Sequence, residues 1–314
     1  MNTPRLGGKS GQAIVFVVAL LTILLGLGAL VVDGGSWLRA QRHLQTAADA
    51  AALAGAQDLP TDQSGATSTA ISYAQQNYAG VPAPTVTFPD TATIDVAAQT
   101  TAPGFLAKIY GSVFDTVTVT AHARAQISVP LFMRNVAPVA VKDTVACAAT
   151  NPGCYGVTQT LVFDESQVAS STIGLINLTC HSTASTACGS SAGIGGNQLE
   201  TWIVDGYADA LPANEWYGVK TGETIGPVKH GFELRVGTPL FFPVFDQVAS
   251  DGPNYFFHII GWAAFVIHPD GITWGPQGRQ LIGHFTTFIA TDLAAGGAIN
   301  GAIDFGVHTI TLIQ

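Results

Sequence analysis

Charge is scarce in this chain. Of 314 residues, 12 are lysine or arginine and 21 are aspartate or glutamate, 11% in all, for a formal net charge of −9. The few charges are also unevenly placed. Residues 1–42 carry four basic groups against one acid, net +3, and the remainder carries eight against twenty, net −12. An acidic bulk with no basic cluster lacks the electrostatic footprint of a nucleic-acid binder and argues against nucleic acid as a partner. Metal-site patterns are missing too. The eight histidines, His43, His122, His181, His230, His258, His268, His284 and His308, never fall in H-E-x-x-H or another tight ligand spacing. The acids form no D-x-D-x-D-G calcium loop, and no repeat of solenoid type occurs. Neither metal nor cofactor is expected.

Three near-matches to catalytic or adhesion motifs fail on context. Gly189-Ser190-Ser191-Ala192-Gly193 fits G-x-S-x-G, but that elbow needs a strand before the serine and a helix after it. Here Cys188 and a polar loop precede it and Gly195-Gly196 follows. Lys220-Thr221-Gly222 matches the K-T-G of penicillin-recognising enzymes without their S-x-x-K and S-D-N partners. Asp164-Glu165-Ser166 begins like a D-x-S-x-S adhesion motif, but Val168 occupies the last serine position. With no nucleophile, base and oxyanion set assembled, no catalytic residue is assigned and a non-enzymatic protein is expected.

Cysteine is limited to four residues in two close pairs, Cys147/Cys154 and Cys180/Cys188. The gaps exceed the two to four residues usual for zinc knuckles. The pairs read as two small disulfide loops, which require an oxidising compartment; reduced, buried cysteines are the alternative.

What the chain does have is grease at its start. Ala13–Val32, AIVFVVALLTILLGLGALVV, is twenty residues without a charge and with a single threonine. At about 1.5 Å per residue it spans about 30 Å, the thickness of a bilayer's hydrocarbon core. The apolar part of a cleaved signal peptide is usually about 7–15 residues and ends at a small-x-small site, for which Asp33-Gly34-Gly35 is a poor substitute. A retained transmembrane helix over 13–32 is expected, with membrane lipid as its surroundings. Arg5 and Lys9 before it nearly balance Arg39 and Arg42 after it, so the basic-inside rule gives only a slight bias. Combined with the cysteines, it favours a cytoplasmic N-terminus over 1–12 and an extracytoplasmic remainder.

After the span, Asp33–Asp58 is rich in helix formers, with Gly34-Gly35 as a possible bend and Pro60 as a stop. Gly65–Tyr78 reads as a second helix, with Ala70, Ile71, Ala74 and Tyr78 at helical spacing. Thr85–Phe88 and Thr93–Ala97 read as strands, Phe105–Phe114 as a short helix, and Thr116–Gln126 as a strand with Val117, Val119, Ala121 and Ala123 on one face. This predicts a small α/β unit over 33–130. Residues 131–314 alternate short strands with glycine- and proline-rich connections: Leu161–Phe163, Gly231–Val236, Leu240–Phe245, Tyr255–Ile267, Leu281–Ile289 and Gly306–Ile313. An antiparallel β-rich domain follows, and the fold class is α+β.

Between Ala47 and Ala56 the only large side chain is Leu53. Ala47, Ala48, Ala51, Ala52 and Gly55 form a flat helix-packing face that lets another backbone come close. Two readings stand together: the face packs on its own α/β unit, or it lies against helices of neighbouring subunits. A single oily helix running into a folded head is the general plan of pilin-like proteins.

The run Gly11-Gln12-Ala13, the apolar span, Val32-Asp33-Gly34, and Leu44-Gln45-Thr46-Ala47-Ala48-Asp49-Ala50-Ala51-Ala52-Leu53-Ala54-Gly55-Ala56 resembles the TadE/TadG-like proteins of Flp (Tad) pilus assembly. The likeness continues more loosely through Tyr73-Ala74-Gln75-Gln76-Asn77, Phe105–Gly111 and Thr116–Ala125, covering about residues 10–128. It implies a membrane-anchored envelope protein that works with other Tad pilus or pseudopilin-like subunits, or as a homo-oligomer, in building or anchoring a thin adhesive pilus. Prepilin-peptidase substrates carry glutamate five residues after the cleaved glycine; here Gln12 and Ala13 stand at those positions after Gly7 and Gly8. The rival expectation is an anchored hydrolase or ligand-binding domain over 131–314, with Trp202, Trp216, Trp262 and Trp274 as candidate carbohydrate- or protein-binding aromatics.

Overall fold

The computed structural model describes residues 10–106, 115–186, 194–221, 225–276, 278–290, 295–298 and 303–313. One helix, α1 (Ser10–Ala56), carries the apolar run and the alanine-rich stretch without interruption over 47 residues. The expected bend at Gly34-Gly35 is absent as a break. Each glycine weakens a helix by about 1 kcal/mol, less than the strong formers on both sides contribute together. Of the short helix expected over Phe105–Phe114, residues 107–114 lie outside the described residues.

Helix α2 (Gln63–Asn77) begins where the Asp62 carboxylate accepts the Gly65 N–H at 2.7 Å, a side-chain cap for an otherwise unpaired donor. Ala66, Ala70 and Ala74, four residues apart, form its buried stripe. Strands β1 (Thr85–Asp90), β2 (Thr93–Pro103) and β3 (Thr116–Pro130) make an antiparallel meander, with Val96 opposite Ala123. Along β3, Val119, Ala121, Ala123, Ala125 and Ile127 alternate inward. They face α1, and with the inward faces of α1, α2 and β2 they make a first core built largely from alanine.

The second half contains β4 (Phe132–Met133), β5 (Val139–Lys142), β6 (Thr158–Val162), β7 (Ile173–Ser182), α3 (Gly196–Val204), β8 (Leu211–Pro212), β9 (Glu215–Val219), α4 (Ile225–Leu234), β10 (Pro239–Asp251), β11 (Asn254–Gly275), β12 (Gly278–Thr286), β13 (Phe288–Ile289), β14 (Ala295–Ala298) and β15 (Val307–Ile313). Strands β10, β5, β7, β9 and β11 pair in that order, and β11 pairs again with β10, closing a hydrogen-bonded ring. Every pairing in it is antiparallel except β5 with β10. The far half of β11 carries β12 and then β6. The second core includes Tyr217, Phe242, Phe245, Phe257, Phe265 and Phe285, with the Phe245 and Phe257 rings stacked at 4.0 Å.

Two elements differ from the sequence expectation. Gly231–Val236 alternates like a strand, but its first four residues complete α4. Val228, Gly231 and Phe232 are buried together at helical spacing, and that period begins at Ile225, upstream of the alternating stretch. Helix α3 arises where only a glycine-rich loop was expected. Leu199, Trp202 and Ile203 anchor it to the second core.

The last strand crosses between the halves. β15 pairs antiparallel with β3, from Thr309 opposite Ser128 to Ile313 opposite Arg124, and parallel with β13. The Ser128 and Thr309 hydroxyls bond each other at 2.8 Å in a buried position. The Trp262 indole N–H donates to the Pro130 carbonyl at 3.1 Å. The chain's end thus completes the sheet that its beginning started.

Candidate membrane and assembly interface

Among the described residues, nothing folds against most of the surface of the first half of α1. Its large apolar side chains from Ile14 to Val32 are between 51% and 74% exposed. Removing each such side chain from water is worth roughly 1.5–3 kcal/mol, so this stretch belongs in lipid or among other apolar helices. It is long and apolar enough to cross a membrane once, with a mean hydropathy of 3.0.

Immediately beyond Val32 sits a carboxylate with no exposed surface. Asp33 Oδ1 accepts the Phe105 N–H at 2.9 Å and the Leu106 N–H at 3.2 Å, and Oδ2 accepts the Leu106 N–H at 3.0 Å. One turn on, the Trp37 indole N–H donates to the Pro103 carbonyl at 3.2 Å. The chain leaving β2 is therefore clamped to α1 at the end of the apolar run. Sequence reasoning assigned Asp33 no role. Its signal was visible, a lone acid directly after twenty uncharged residues, but its partners lie seventy-two and seventy-three residues away.

The alanine-rich face points inward. Ala47, Ala48, Ala51 and Ala52 have no exposed surface, and Gly55 packs against Ile94, Ala66 and Ala70. The neighbours of this stretch are α2, β2 and β3 of the same chain. Gln45 fixes the register, donating to Asp49 Oδ1 at 2.7 Å and to the His122 carbonyl at 2.8 Å.

Cys147 and Cys154 are disulfide-bonded, with their Cα atoms 5.8 Å apart. Cys180 is also disulfide-bonded, and Cys188 lies outside the described residues. Beside the first bridge, the Tyr155 hydroxyl donates to the Cys147 carbonyl at 3.2 Å. Burial, reinforced by the Asp304 carboxylate, pushes this phenol well above its ordinary range. Burial does the same to Tyr217, aided by Glu215 and Tyr207, and its hydroxyl donates to the Pro212 carbonyl at 2.7 Å. Burial lowers Arg235, against the pull of Asp205. Its guanidinium caps α3, donating to the Val204 carbonyl at 2.7 Å and the Ile203 carbonyl at 3.3 Å.

The near-miss motifs are described only in part. The whole of 189–193, including Ser191, and Gly222 lie outside the described residues; the Lys220 ammonium donates to the Thr221 carbonyl at 2.9 Å. Val168 is buried. Five histidines pair with separate carboxylates: His122 with Asp95, His181 with Glu215, His230 with Glu200, His258 with Asp246 and His308 with Asp304. His268 and His284 bond each other at 3.0 Å. These pairs are dispersed, and among the described residues no three His, Cys, Asp or Glu side chains gather to hold a metal ion. Trp202, Trp262 and Trp274 belong to the second core, and Trp216 is half-buried beside His258 at 5.1 Å.

Among the described residues, a single helix long and apolar enough to cross a membrane continues as the spine of an α+β head. Residues 11–58, which hold that span and the alanine face, match a family model described as Putative Flp pilus-assembly TadE/G-like. The chain therefore carries a TadE/G-like segment over these residues. No curated protein and no solved structure matches the chain significantly.

Proposed function

We propose that the protein is a structural, non-catalytic component of a Flp-type pilus assembly system, held in the membrane by α1 with its head outside the cytoplasm. The observation that carries this reading is the division of α1. One half is bare and apolar, the other is the core spine of the head, and the two share one uninterrupted helix. Such a rod ties whatever the span touches in the bilayer to the head. The bridged cysteines support an oxidising location for the head. The bare span is the surface left for other pilus or pseudopilin-like subunits, or for a second copy of this chain. The alanine face is already occupied by its own domain.

The test is genetic and biochemical together. Deleting the gene should abolish or strongly reduce piliation, and the full chain should restore it. A Leu24→Arg chain, whose arginine adds about 2.5–3.5 kcal/mol to insertion at the span's centre, should leave the membrane fraction and fail to restore pili. Normal piliation in the deletion strain defeats the proposal. Labelling of the head by a fluorophosphonate probe, lost in Ser191→Ala, would replace it with a hydrolase.

A further inference from the structure

Just beyond the apolar run, α1 and the end of β2 enclose a cleft of about 540 Å³. Its apolar lining comes from Val32, Ala102, Pro103 and Phe105; among the described residues Arg39 and His43 are the basic groups that line it, and no acidic side chain does. Among the described residues Arg39 has no carboxylate partner.

The height of the cleft follows from helix geometry. Arg39 stands seven residues past Val32, about 10 Å along the axis, and helical side chains lean toward the N-terminus, here the bilayer side. The polar layer of a leaflet is about 5–8 Å thick outside the hydrocarbon core. An arginine placed this way reaches down into that layer while its stem stays on the protein. Phe105, which lines the cleft, is 54% exposed, and the next residue, Leu106, is 38% exposed; the Asp33 carboxylate holds the backbone of both at the end of the apolar run.

We propose that this cleft seats the headgroup of an anionic phospholipid, with Arg39 as the partner of its phosphate and Phe105 and Leu106 immersed beside the upper acyl chains. The inference rests on reading α1 as a membrane span. It adds a second, chemically selective membrane contact, one that fixes the head's tilt and rotation over the bilayer. A wall that carries Arg39 and, among its described residues, no acid, set at headgroup height beside an apolar rim continuous with the span, fits this one occupant.

The full chain is placed in lipid nanodiscs of phosphatidylcholine alone or mixed with phosphatidylglycerol. A photocrosslinking benzoylphenylalanine replaces Phe105, or, as a control in the second half, Leu234, which is 57% exposed. Disc incorporation is read first. A chain that does not enter discs has lost the span, and the proposal falls with it. In chains that do enter, position 105 should capture lipid and position 234 should not. In mixed discs phosphatidylglycerol should be captured about fivefold above its mole share, the enrichment one basic residue supplies near an anionic surface. Arg39→Gln should bring that enrichment close to one with total capture kept, and Arg39→Lys should retain most of it. Excess inorganic phosphate should leave the enrichment unchanged; if it abolishes the enrichment, the cleft is a free-phosphate site and the proposal is wrong. A disc-resident chain that captures no lipid at 105, or captures both lipids in proportion whatever stands at 39, also overturns it.

Discussion

An ideal Cβ on Gly55 would lie 2.6 Å from Ile94 Cδ1 and 2.8 Å from the Ala66 carbonyl oxygen. Helix α1 therefore rides on β2 and α2 with no room for a methyl group. The alanines around Gly55 are small for the same reason, because their own sheet and helix press against them. A residue with no exposed surface has nothing to offer a second chain without opening the fold.

Gly55→Val should accordingly destabilise the purified protein, by about 1–3 kcal/mol or more, the usual cost of overpacking a tight core. Thermal unfolding in detergent, at concentrations where the chain is monomeric, measures it. An unchanged midpoint combined with lost piliation would move this face to a subunit contact.

Asp33→Ala leaves the Phe105 and Leu106 N–H groups without their acceptor and should cost about 1–3 kcal/mol. Asp33→Asn keeps one acceptor oxygen and should cost less. Limited proteolysis at the Phe105-Leu106 segment, compared across the three chains in nanodiscs, should show cleavage rising in the order wild type, Asn, Ala. Equal cleavage in all three would show that the clamp does not restrain this segment.

The α/β unit over 33–130 should not fold cooperatively alone, because β3 then loses the ladder it makes with β15 and the buried contacts of Thr309. Joining residues 303–313 to its C-terminus through a flexible linker should restore a single sharp unfolding transition by circular dichroism. A cooperative transition in the short fragment would mean that β15 is dispensable to it.

Replacing Cys147 and Cys154 by serine should cost about 2–3 kcal/mol, the chain entropy released when a loop of this length is opened in the unfolded state. Mass spectrometry gives an independent check. Because Cys180 is bridged as well, full reduction should add about four hydrogens, two for each bridge.

Alkaline pH should unfold the head earlier than its lysines alone would. Tyr155 and Tyr217 have folded values raised above the ordinary 10.0, chiefly by burial. Below pH 10 both states hold these protons and stability is unaffected. As pH rises past 10 the unfolded chain ionises them while the folded chain resists, so stability falls. Tyr155→Phe and Tyr217→Phe should each flatten that decline, followed as phenolate absorbance together with circular dichroism. A phenolate titration complete before any unfolding would contradict the burial argument.

The sequence itself determined the features that depend on neighbours along the chain. Twenty uncharged residues make a helix suited to a bilayer, because every backbone group in a lone helix is satisfied locally, which is what lipid demands. Alternation along β3 and the four-residue alanine spacing of α2 set which faces turn inward, and two cysteines eight positions apart at most are close enough to find each other. The alanine string also carried the family likeness that the match over residues 11–58 bears out.

Only the tertiary structure decided what depended on distant partners. Nothing local marks Val307–Ile313 for the first sheet rather than the second; that placement follows from β3 needing a neighbour on its open side. The strand-like alternation after Gly231 gave way to a helix because burial against α3 and β11 outweighed a weak local preference. Asp33 read as one polar residue after a greasy run until the fold brought two backbone donors to it across more than seventy residues. The alanine face was equally suited to a neighbour or to its own sheet, since small side chains permit close approach without naming who approaches. In the fold, Ile94 packs onto Gly55 and turns this face toward its own sheet.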